Sequence, residues 1–239
     1  MTVCFIQSED QPRQPMRLVP QASGISALMD FQQLATRQSA LSMAQLCEQQ
    51  ANVLGPKGLF ARFCQEVPQL GRQASVFEDL YEVHDREHQL LAEKTVQFIL
   101  GRYRRREAVQ NPFAGMSREF LCCVVYDELA PYTHAERYAA AEALRQRDSE
   151  YFAKLIATTR DTVERRIVFH GLLEHFDALL PVEQSIYPLN YRAVQQSHLD
   201  HEEALYGKLD LTRPLSVILE QHTPQWLLEN LSLLAGNAD

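Results

Sequence analysis

The chain contains no Gly-x-Ser-x-Gly elbow, no glycine-rich phosphate loop and no His-Glu-x-x-His step, so three common signatures of hydrolases, nucleotide enzymes and zinc proteases are missing. The segment His84-Asp-Arg-Glu-His88 comes near the last of these, but its glutamate directly precedes the second histidine and so points about 100° away from it on a helix. No stretch approaches the ~18 uninterrupted apolar residues of a membrane span, and residues 1–24 lack the apolar run of a Sec signal peptide. Glycine is scarce, with nine in 239 residues, and β-branched runs are nearly absent, which argues against a sheet protein. The five cysteines form no C-x-x-C pair; their odd number suits neither a disulfide framework nor a zinc knuckle and points to a reducing, cytoplasmic setting. Positive charge is also short: 23 basic against 31 acidic side chains give a net charge of -8, which repels a phosphate backbone and argues against nucleic acid as a partner.

What the chain does have is helix-forming composition punctuated by clear stops. Residues 1–24, with Pro12, Pro15 and Pro20 among polar neighbours, are expected to form a flexible leader. A leader of that kind also resembles the non-cleaved signals used by specialised secretion systems, which makes export the alternative to a cytoplasmic location. From residue 25 to 239 the signals predict one all-α domain, a compact bundle of about eight helices. A first helix is expected over 26–53, stopped by Gly55-Pro56, and a short one over 59–66 before Pro68. Ser75-x-x-Glu78 reads as a capping box that opens a long helix to about Arg105. Residues 117–129 are the most apolar segment and are expected to form the central buried helix, halted by Pro131. Thr133-x-x-Glu136 is a second capping box, Asp148-Ser149 offers a restart, and Gly171 alone weakens helix propensity before Pro181. Helices over 190–209, 215–221 and 225–234 complete the count.

Two histidine pairs stand out. His84 and His88 share a stripe with Phe77, Leu80, Leu91, Thr95 and Phe98, and His198 and His201 share one with Val194 and Leu205, so all four rings are expected to turn inward. A polar ring on a buried face needs a partner. One expectation is local neutralisation by carboxylates such as Asp85, Asp200 and the Glu202-Glu203 pair. The other is an iron or zinc centre held by His84, His88, His198 and His201 with a carboxylate from Asp85, Glu183 or Glu202, which would make the protein a metal-dependent bundle, with oxidoreductase chemistry open to it. His170-x-x-x-Glu174-x-x-Asp177 is a third cluster of the same flavour.

Partner surfaces leave separate traces. The basic run containing Arg102, Arg104 and Arg105 ends a long helix, where the macrodipole favours cations and an acidic protein surface could dock. The tail carries Trp226, Leu227 and Leu231 among many other apolar residues; these are expected either to pack over the bundle as its last core layer or, being more than one short amphipathic helix needs, to meet a partner in part. The sequence therefore favours a non-catalytic adaptor, chaperone or regulator without a cofactor. Its partner would be another protein or a second copy of the chain, contacted through the tail and the basic helix end.

Overall fold

The computed structural model describes residues 24–104, 109–159 and 164–231. Eleven α-helices and two 3-10 segments account for nearly all of the ordered backbone among these residues, and none of the helices is long and apolar enough to cross a membrane. The expected leader, apart from Gly24, lies outside the described residues.

The first expected helix is two. α1 (Gly24–Ser39) ends before Ser42, whose hydroxyl accepts from Gln45 N at 3.4 Å while the Gln45 amide accepts from Ser42 N at 2.9 Å; this closed capping box starts α2 (Met43–Leu54). Gly55 stops α2 as expected, since a Cβ there would lie 2.4 Å from the Ala51 carbonyl oxygen. α3 (Leu59–Leu70) runs on past Pro68, which sits in its last turn, and ends at Gly71, where φ is 57°.

The largest departure follows. Ser75-x-x-Glu78 does not open an α-helix: the Ser75 hydroxyl donates to Glu66 Oε2 at 2.7 Å, and Val76 N donates to the same oxygen at 3.3 Å. A 3-10 segment (Ser75–Glu82) results, with Val76 and Phe77 buried. Residues 83–85 leave helical geometry, and Asp85 Oδ2 accepts from His88 N at 2.8 Å as the cap of α4 (Arg86–Arg104). His84 and His88 therefore do not share a helix.

α5 (Arg118–Tyr126) is the buried helix the sequence predicts: its cap Ser117 accepts from Phe120 N at 3.2 Å, and all six residues from Phe120 to Val125 are buried. α6 (His134–Ala157) begins at the Thr133 and Glu136 capping box and does not restart at Asp148-Ser149. Its 24 residues, about 36 Å of helix, form the spine of the molecule. Ala139, Ala140 and Leu144 join a core with α1, α2 and α5; Ala135 and Tyr138 join a second with α3, α4 and Phe77; Leu155 joins a third near the C-terminus. α7 (Arg165–Asp177) crosses α6 at Gly171, where a Cβ would fall 2.6 Å from a Leu155 methyl and 2.9 Å from the Tyr151 hydroxyl. The glycine is there for close approach, not to break the helix. α8 (Pro181–Gln184) is a single turn, and α9 (Tyr191–Tyr206) lies chiefly against α7.

The apolar tail belongs to the core. In α10 (Leu215–Gln221) and α11 (Pro224–Glu229), Leu215, Ile218, Leu219 and Leu227 are fully buried against Leu155 and Ile167. Glu174 of α7 fixes the start of α10 by accepting from Leu215 N at 2.6 Å and Ser216 N at 2.9 Å. Of the two expectations for this segment, docking as the last core layer is the one that α10 and α11 follow.

Candidate functional site

The predicted metal ligands go to separate places. His84 is exposed in the turn before α4. His88 Nε2 lies 2.8 Å from Glu136 Oε2, an oxygen that also accepts from Thr133 N and the Thr133 hydroxyl at 2.8 Å each. Local neutralisation thus holds for His88, but through the capping-box glutamate of α6 instead of Asp85. Glu183 serves Arg118, and Glu202 faces Arg165 Nη1 at 3.4 Å. His198 and His201 are exposed on α9, so the expectation that all four rings point inward is overturned. Within one chain the described residues gather no group of three or more His, Cys, Asp or Glu side chains able to share an ion. The third cluster also disperses: Glu174 caps α10, Asp177 pairs with Arg192 at 2.7 Å, and His170 Nε2 stands 3.5 Å from Glu203.

The expected partner surfaces change as well. Arg102 pairs with Glu142, a carboxylate that also takes Arg145 at 2.6 Å, so its charge is committed within the chain. Arg104 is the last residue of α4, and Arg105 lies outside the described residues. Trp226 is half-buried and stacked on His222 with ring centroids 3.6 Å apart; Leu227 is 0 % exposed, and Leu231 packs on the third core. Leu227 is thereby corrected from a partner contact to a core residue.

Two internal polar networks were missed. Arg118 donates to Glu183 Oε1 at 2.7 Å and Oε2 at 3.3 Å, contacts Cys122 Sγ at 3.2 Å, and stands 3.5 Å from Asp148. The Glu183 carboxylate also accepts from Leu180 N at 2.9 Å, which ties the single turn of α8 to the start of α5. Burial pushes the Asp148 carboxyl up and, reinforced by Glu183, the Cys122 thiol well up, so Cys122 is held as a neutral buried thiol. Burial next to Arg118 brings the His175 imidazole down to about 4. The sequence held one signal for this network: a cation in the first turn of a helix works against the macrodipole and needs a compensating anion elsewhere. Arg137 makes the other network. Its guanidinium donates to five carbonyl oxygens of residues 124–132 and closes the C-terminal end of α5. Both networks hold helices together.

What reaches solvent is the outer side of α9. Leu199 and Glu202 turn inward towards α7, while Val194, His198, His201 and Leu205 stand outward at steps of four, three and four. Ala193, Ser197 and Ala204 flank that stripe and are exposed too, so an arc of about 140° carries no Lys, Arg, Asp or Glu. Leu205 is 61 % exposed, and Leu189, just before the helix, 90 %. The face extends onto α7 through Phe169, whose ring stacks on His198 at 5.3 Å. A solvent-facing helix side normally carries charge. This one carries apolar, small and imidazole side chains, the composition of a surface that packs against another helix. Comparison with family models, curated proteins and solved structures finds no match to this chain, so the site is read from its own chemistry.

Proposed function

We propose that this protein is a non-catalytic helical adaptor or regulator that works by binding another protein, with the outward face of α9 as its contact surface. The observation that carries the reading is the exposed, charge-free arc from Ala193 to Leu205. Desolvating such a face strands no ionic group, whereas most other surface helices here would have to shed or pair charges on contact. The matching partner presents an apolar helical stripe of its own, laid along about four turns. A reducing, cytoplasmic compartment fits this reading, because Cys47 and Cys64 are free thiols on the surface. Two residues favoured by sequence alone give way to α9: Leu227 of the tail is buried in the third core, and Arg102 is paired with Glu142.

The test is a photo-reactive residue placed at Ala204 in cells of the natural source. Adducts are expected from Ala204 and not from the same residue at Lys94, which sits on the charged outer side of α4. Equal yields from the two positions, or none from Ala204, would overturn the proposal.

A further inference from the structure

We infer that the partner of α9 is a second copy of this chain, and that the two copies hold a zinc ion between the imidazoles of His198 and His201 from each. The inference rests on the docking reading of α9 and names its occupant.

The stripe Val194, His198, His201, Leu205 is a palindrome of residue types and of spacing: apolar, four, histidine, three, histidine, four, apolar. An antiparallel neighbour related by a two-fold axis between positions 199 and 200 sets Val194 opposite Leu205 and His198 opposite His201. Sliding the neighbour by one turn sets rings against aliphatic side chains and loses the match. Such an isologous contact needs a surface that complements itself, and the arc does so without bringing like charges together.

Each copy supplies two imidazoles three residues apart on one face, about 5–6 Å between Cβ atoms, a spacing from which both can converge on one cation. Two ligands are half of a tetrahedral zinc site, and no other group in the described part of the chain completes it. The second copy does. The size of the contact sets the need for metal. A 16-residue helix is about 24 Å long, and one such helix pair buries well below the roughly 1,200 Å² at which specific stable interfaces begin. Without zinc the pair is weak, and with it the ion supplies the missing affinity.

The experiment uses the full chain without a histidine tag, studied by sedimentation velocity at micromolar concentration in chelator and with zinc chloride. A monomer in chelator, and a dimer binding one zinc per two chains, are expected. His198→Ala and His201→Ala should each raise the zinc needed for half-dimerisation by about tenfold or more, with melting unchanged, while His84→Ala should leave it as it is. A chain that stays monomeric with zinc, or that dimerises equally well in both α9 variants, overturns the inference. In that event, adducts from Ala204 to a different protein would leave the docking reading standing, and their absence would remove both.

Discussion

Acid should destabilise this protein in part through one ring. His175 of α7 packs between Tyr151 and Phe152, with ring centroids 5.9 Å and 4.7 Å away, and burial beside the Arg118 guanidinium lowers its pKa from 6.5 to about 4. A base whose pKa falls on folding contributes stability that is complete above 6.5 and is lost as the pH drops towards 4, because only the unfolded chain takes up the proton in that window. Between pH 7 and pH 5 linkage gives a loss of about 2 kcal/mol for an unscreened ring. His175 is only partly buried, which reduces the expected loss to roughly 1 kcal/mol. The perturbation is His175→Phe, which keeps an aromatic ring between Tyr151 and Phe152 but cannot be protonated. Urea unfolding of both proteins at pH 7 and pH 5 reads the difference directly, and the variant should lose about 1 kcal/mol less than the parent. Parallel losses in the two proteins, or an imidazole that titrates by NMR at 6.5 or above, would refute the argument.

Leu227→Ala removes a fully buried side chain of the third core, so unfolding should become easier by about 2–5 kcal/mol in urea titrations; a cost typical of a surface site would return the tail to the list of contact surfaces. Arg118→Met leaves Glu183 and Asp148 without their cation, for which a cost of about 3–5 kcal/mol is expected, or roughly 6–20 °C in calorimetric melting. The double variant Arg118→Met with Glu183→Leu should recover part of that loss, and a double variant as unstable as the two single changes added together would contradict the pairing.

The sequence by itself determined the helical class, the place of most stops and the burial of α5. Those features are written in local chemistry: Thr133 and Glu136 close their box within four residues, Gly55 meets the carbonyl of its own helix, and a run such as Phe120 to Val125 is apolar on every side. Ser42 with Gln45 was an equally local signal that the periodicity of residues 26–53 masked. Only the tertiary structure decided which side of a helix faces in. On α9 the sequence pointed to the histidine stripe, but the side with Leu199 and Glu202 is the one that packs against α7, leaving His198 and His201 outside. Ser75 failed as a cap because Glu66, nine residues away, claimed its hydroxyl, and that contact turned one expected helix into two elements and parted His84 from His88. Periodicity records that a helix has two unlike sides, but the neighbour that buries one of them is supplied by residues far along the chain, so the choice of side belongs to packing.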